Sequence, residues 1–110
     1  MEIEDLKLIT FFKWAWKKKP THCECGCKER LPKEINSCCM DHLLEKSEFP
    51  ECKYSISNLF FCMPNCHTNK TNGHPNKYHK SRIIEALGKY DFLVEESKKW
   101  EIKFEKLIKL

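Results

Sequence analysis

The sequence predicts an α+β domain, with a compact cysteine-bearing ββα unit in the middle of the chain and helices at both ends. Three observations predict it. Apolar residues recur every three to four positions near both termini. The middle replaces that period with brief apolar runs and turn residues. All eight cysteines lie in that middle, from Cys23 to Cys66. At 110 residues the chain reads as one domain, 1–110, and a core of this size usually needs a metal or disulfides to hold it.

Residues 1–20 carry the N-terminal helix, 22–80 the cysteine knuckle and ββα core, and 81–110 the C-terminal helices. Ile3, Leu6, Ile9, Phe12 and Trp16 mark one face of a helix over Glu2–Lys19, which the run Lys17-Lys18-Lys19 and then Pro20 terminate. His22–Pro32 is a dense turn, with Gly26 among its cysteines. Glu34–Met40 can run as a strand. Leu43–Ser57, interrupted by Pro50 and without periodicity, is a loop across the face of the site. Leu59-Phe60-Phe61 is a second, apolar strand, and a short helix starts near Asn65 and stops at Asn72-Gly73 and Pro75. Ser81 is the expected N-cap of a helix bearing Ile83, Ile84 and Leu87. After an interruption at Gly88, Leu93, Ser97, Trp100, Phe104, Leu107 and Ile108 define one face of a last helix. The terminal helices are expected to pack on each other, or on a second copy in a homodimer.

Leu6–Trp16 is broken by Lys7 and Lys13 and offers no small-residue cleavage site, so it does not read as a secretory signal; no apolar run is long enough to span a membrane. A cytoplasmic chain is expected, in which cysteines ligate metal rather than form disulfides. Net charge is +4, from 20 basic and 16 acidic residues, which by itself is weak evidence for nucleic acid. Its placement says more, since basic residues flank the cysteine and histidine region. Lys70, His74, His79, Lys80 and Arg82 follow it and can contact phosphates, adding affinity without sequence choice.

Cys23 and Cys27 share the spacing of Cys62 and Cys66, and zinc takes four tetrahedral thiolate or imidazole ligands from such pairs. The expected set is Cys23, Cys27, Cys62 and Cys66, with Cys25 as the rival in the first pair. Cys38 and Cys39, adjacent and therefore divergent on a strand, are expected with Cys52 to be small buried residues.

The second constellation is Asp41-His42, Asn58 and His67. Phosphodiester hydrolysis requires a base that works near neutral pH and a cation at the developing charge. On a strand end, Asp41 and His42 project to opposite sides, one toward a metal and one toward substrate. His67, early in the short helix, can return to the same metal, and the Asn58 amide can hold the loop that places His42.

The stretch Cys23–Lys70, with its knuckle, Asp41-His42, Asn58-Leu59, Cys62, Cys66-His67 and Lys70-Thr71, resembles the HNH nucleases of the His-Me finger (ββα-metal) group. The resemblance covers a little under half the chain. It implies a zinc-stabilised ββα-metal core and a metal-dependent endonuclease that hydrolyses DNA. His42 would be the general base, Asp41 and His67 would hold Mg²⁺ or Mn²⁺, Asn58 would order the loop, and the cysteines would hold a structural zinc. Such stand-alone nucleases serve restriction, homing, recombination or phage packaging. The chain departs from the usual pattern in having Met63-Pro64-Asn65, three residues, between the second pair of cysteines, and in the knuckle His-Cys-Glu-Cys-Gly-Cys. The alternatives are a non-catalytic zinc-stabilised nucleic-acid-binding module and a helical interaction protein stapled by zinc.

Overall fold

The computed structural model describes residues 2–66 and 77–109. Among them the chain forms helix α1 (Ile3–Trp16), strand β1 (Met40–His42), strand β2 (Leu59–Phe61), helix α2 (Lys77–Gly88) and helix α3 (Tyr90–Ile108). Residues 64–66 form a helical turn just after β2. The structure is α+β, with a two-stranded antiparallel sheet. No helix among the described residues is long and apolar enough to cross a membrane.

The sheet is short, but both its faces are covered. Met40 pairs with Phe61, Asp41 with Phe60 and His42 with Leu59. Because side chains alternate along a strand, Met40, Leu59 and Phe61 leave one face and Phe60 and Cys62 the other. The first face enters a core built with Phe11, Ala15 and Trp16 of α1 and Trp100 and Phe104 of α3. The second meets Cys23, Cys25, Ala86 of α2 and Leu93 of α3. Helix α3 therefore serves both cores, one from each half.

Aromatic contacts join the termini within one chain. Trp100 lies 5.2 Å from Phe11, 5.2 Å from Tyr54 and 5.6 Å from Phe104, measured between ring centroids. Lys7 donates to Glu101 at 2.8 Å at the edge of the same packing. Polar bonds add to it. Ser97 Oγ accepts from the Tyr54 N–H, and Glu96 accepts from Ser55 Oγ at 2.6 Å and the Ser57 N–H at 2.8 Å. These bonds pin the loop before β2 onto α3.

Several elements depart from the sequence reading. The buried face of α1 is Phe11, Ala15 and Trp16, while Ile3, Leu6 and Ile9 are exposed. The reason is tertiary, because that face meets Trp100. The segment before β1 is not a strand: Ser37–Cys39 forms a 3₁₀ turn capped by Asn36, whose side chain accepts from the Cys38 N–H, and β1 begins only at Met40. The turn leaves Cys38 exposed and Cys39 buried, so the expectation of burial fails for Cys38. The loop 43–57 contains further 3₁₀ turns at Pro50–Cys52 and Ile56–Asn58. Ser81 lies inside α2 rather than at its cap. Leu107 and Ile108 are exposed, so the buried face of α3 ends at Phe104.

Candidate functional site

The knuckle attaches to the free edge of β2. Glu24 donates its backbone N–H to the Phe61 carbonyl at 2.8 Å, and its carboxylate accepts the Phe61 N–H at 3.0 Å. The same carboxylate pairs with Arg82 of α2. His22 and Arg30 form an isolated bridge that closes the knuckle. Inside it Gly26 has φ +84°, and a Cβ there would come within 2.5 Å of the Tyr78 ring. Only glycine combines that left-handed turn with that close approach to α2. Lys28 also has a positive φ, 67°.

This turn gathers four thiols. The Sγ atoms of Cys23, Cys25, Cys27 and Cys66 all lie within 4.8 Å of one another. Cys23 and Cys25 are 3.0 Å apart, Cys25 and Cys66 2.9 Å, and Cys23 and Cys66 3.9 Å. The edge of a zinc–thiolate tetrahedron with ~2.3 Å bonds is about 3.8 Å, so the group is of the right size and donor chemistry for such an ion. The Met63 N–H points at Cys23 Sγ at 3.3 Å, as backbone amides do at thiolates. The group could hold a metal ion such as zinc.

The membership corrects the expected ligand set. Cys25 is inside it and Cys62 is outside. Cys62 extends the strand ladder, its N–H donating to the Cys39 carbonyl at 2.9 Å, and its thiol is wholly buried in the core beside Phe60 and Leu93. Burial, with Asp41 and the neighbouring thiols nearby, pushes that thiol far up. Burial also raises Cys23, Cys25 and Cys66 to about 11. Cys27 is shifted down: burial is the largest single effect and raises it, but hydrogen bonds from the Glu29 backbone and from the other three thiols together outweigh it.

His42 ends β1. It is 5 % exposed and lies on the α1 side, its ring 6.0 Å from that of Phe12. Its Nε2 is 2.9 Å from the Lys53 carbonyl. A carbonyl only accepts, so Nε2 carries the hydrogen and Nδ1 is the nitrogen that can take a proton. Burial first, and then Lys46, pull the imidazole down to about 4, against the raising effects of the Lys53 carbonyl, Asp41 and Glu45. It is therefore neutral at pH 7. Asp41, 4 % exposed, pairs with Phe60 and so leaves the sheet on the opposite face. Residues of β1, α1 and the following loop, among them Asp41, His42, Phe12 and Lys46, line a cleft of about 360 Å³.

Asn58 is fully buried at the entry to β2. Its Oδ1 accepts the Leu44 N–H at 2.9 Å, and its Nδ2 donates to the carbonyls of Leu44 at 3.2 Å and Cys52 at 3.3 Å. The Leu43 N–H reaches the Asn58 carbonyl at 2.8 Å. Both ends of the loop between the strands are thus tied to one residue.

His67, Lys70 and His74 lie outside the described residues. Of the remaining basic candidates, Lys80 is exposed on α2. Arg82 is engaged by Glu24 and stacks over the Phe60 ring at 5.5 Å. His79 is 1 % exposed, with its ring edge-on to Phe60 at 3.9 Å, so it is a core residue rather than a surface contact for phosphate. Sequence reasoning missed Phe12 beside His42 and Glu24 between the knuckle cysteines. The alternation of glutamate and cysteine in the knuckle was the only signal for Glu24.

No protein-family model matches this chain, and no curated protein or solved structure is detectably similar to it. Fold and site together define a small α+β domain with a four-cysteine group able to hold a metal ion.

Proposed function

We propose that this protein is a metal-dependent endonuclease of the HNH type, hydrolysing DNA phosphodiester bonds on a zinc-stabilised ββα-metal core. The observation that carries the reading is the arrangement at the end of β1. Asp41 and His42 pair in register with Phe60 and Leu59, and the loop that follows them is clamped by Asn58. An antiparallel strand pair with a buried asparagine closing its loop is the scaffold that the sequence resemblance implies.

In this reading His42 Nδ1 takes a proton from water, the water oxygen bonds to phosphorus, and the bond to the leaving oxygen breaks, that oxygen then being protonated. Asp41 and His67 would hold a divalent ion such as Mg²⁺ or Mn²⁺, which would supply charge stabilisation at the scissile phosphate and leaving group. Zinc belongs to Cys23, Cys25, Cys27 and Cys66, where its binding energy contributes to folding. The hydrogen bond to Lys53 sets the imidazole tautomer, and burial keeps the ring neutral at pH 7, leaving Nδ1 unprotonated. DNA is the proposed partner.

A non-catalytic nucleic-acid-binding module draws on one specific observation, the near-complete burial of His42. Cleavage of supercoiled plasmid in Mg²⁺ or Mn²⁺ decides between the readings. Wild type is expected to cut and His42→Ala to lose at least a hundredfold of the rate while still binding DNA, the range that loss of a general base produces. Undiminished cutting by a clean His42→Ala preparation refutes the assignment.

A further inference from the structure

The cleft beside His42 has a wall that phosphate chemistry does not require. Leu8 and Phe12 of α1 line it together with His42, Lys46, Asp41 and Glu45. A grip on phosphate alone uses cations and backbone amides. Here an aromatic ring stands 6.0 Å from the imidazole, tilted by 51° and therefore not stacked on it. The ring is also held in place, because the neighbouring Phe11 and, one turn on, Ala15 and Trp16 are buried in the main core. Helix α1 cannot swing aside without breaking that core, so any strand that reaches His42 passes a fixed, half-buried aromatic.

We propose that Phe12 is a stacking platform for an unpaired nucleobase beside the scissile phosphate, so that the substrate is a DNA strand whose bases are unpaired at the site of cleavage. This rests on the hydrolytic reading of His42. The physical reason is that an intact duplex offers this wall only phosphates and sugars, its base faces being occupied by the stack. An aromatic side chain gains a partner when a base is splayed out, and it is tolerant of which base that is. The cleft, about 360 Å³, has room for one nucleotide unit. Lys46 in the same lining supplies a cation for the backbone, with Glu45 beside it.

The test is a fluorescence titration with a single-stranded oligonucleotide carrying 2-aminopurine, in Ca²⁺, alongside steady-state cleavage in Mg²⁺ or Mn²⁺ of the same strand alone and in duplex. Wild type should quench the probe in the single strand and not in the duplex. Phe12→Ala should lose the quench and weaken binding roughly tenfold, within the range for losing one stacked base. Phe12→Leu, which keeps the apolar packing without the π face, should fold, keep its zinc and show the same loss, while Phe12→Trp restores the response. On cleavable substrate the defect should appear in KM with kcat retained. Equal quenching by wild type and Phe12→Leu overturns the inference, as does equal binding of strand and duplex. If Phe12→Leu alters binding as expected but wild type cuts no DNA, the stacking site stands and the nuclease reading falls. If His42→Ala abolishes cutting while Phe12→Leu changes neither KM nor binding, the nuclease reading stands and the stacking site falls.

Discussion

The side-chain amide of Asn58 reads Leu44 from both sides, accepting its N–H at 2.9 Å and donating to its carbonyl at 3.2 Å. Leu44 is two residues beyond His42, and the same amide reaches Cys52, one residue before the Lys53 whose carbonyl orients the imidazole. One fully buried polar group thereby positions both the strand end and the loop that returns over it.

Replacing Asn58 by Ala leaves a buried N–H and two buried carbonyls without this partner. At about 1–3 kcal/mol for each group left unsatisfied, partly relieved by entering water, a loss of about 3 kcal/mol is expected. Urea unfolding measures it. A loss below about 1 kcal/mol would show that the clamp does not hold the loop.

The metal group distinguishes Cys25 from Cys62. Cys25→Ser should abolish stoichiometric zinc binding and destabilise the fold, because the site contributes its binding energy to folding. Cys62→Ala should retain one zinc per chain and lose on the order of 1 kcal/mol from the small cavity left in the core. Metal analysis with thermal melts gives both numbers. Zinc loss in Cys62→Ala with retention in Cys25→Ser would reverse the assignment.

Acid should weaken the protein through His42. Its folded value of about 4 lies below the ordinary 6.5. The unfolded chain takes up the proton as pH falls past 6.5, whereas the folded chain refuses it until about 4. This contribution is therefore complete above 6.5 and is lost as pH falls through the folded value. By linkage the total is about 3 kcal/mol. Urea midpoints measured from pH 7 down to 4.5 should fall, and His42→Gln should flatten the trend. Identical pH slopes in the two proteins would exclude His42 as the source.

Truncation after Gly88 should unfold the chain rather than release a stable core. It removes Trp100 and Phe104 from one core and Leu93 from the other, together with the Glu96 and Ser97 bonds to the loop before β2. Loss of a buried aromatic costs about 3–5 kcal/mol, comparable with the entire stability of a domain this small. Circular dichroism and size-exclusion chromatography of residues 1–88 check it. A cooperative, native-like melt from that fragment would show that α3 is an appendage.

Local chemistry made much of this legible. Gly88 ends a helix because glycine continues one poorly, and the apolar triplet Leu59-Phe60-Phe61 reads as a buried strand whatever surrounds it, whereas α1 stops at Trp16, short of the Lys19 end that Pro20 suggested. Leu93, Ser97, Trp100 and Phe104 name the buried stripe of α3 by spacing alone. The position of Ser81 misled because a good capping residue is also tolerated inside a helix whose start is set elsewhere.

The sequence by itself determined the α+β class, the division into a cysteine-rich middle and helical ends, and the apolar strand Leu59-Phe60-Phe61, since each follows from periodicity and turn chemistry within a few residues. Only the tertiary structure decided which cysteines meet. The knuckle turns back through positive φ at Gly26 and Lys28 and docks on β2, and this brings Cys25 to Cys66 while the strand ladder turns Cys62 into the core. It likewise decided that α1 buries Phe11 instead of Ile9, and that Phe12 comes to stand beside His42. The physical reason is the same in each case: which side chain is buried or brought near a ligand depends on partners far along the chain, and spacing alone does not carry that information.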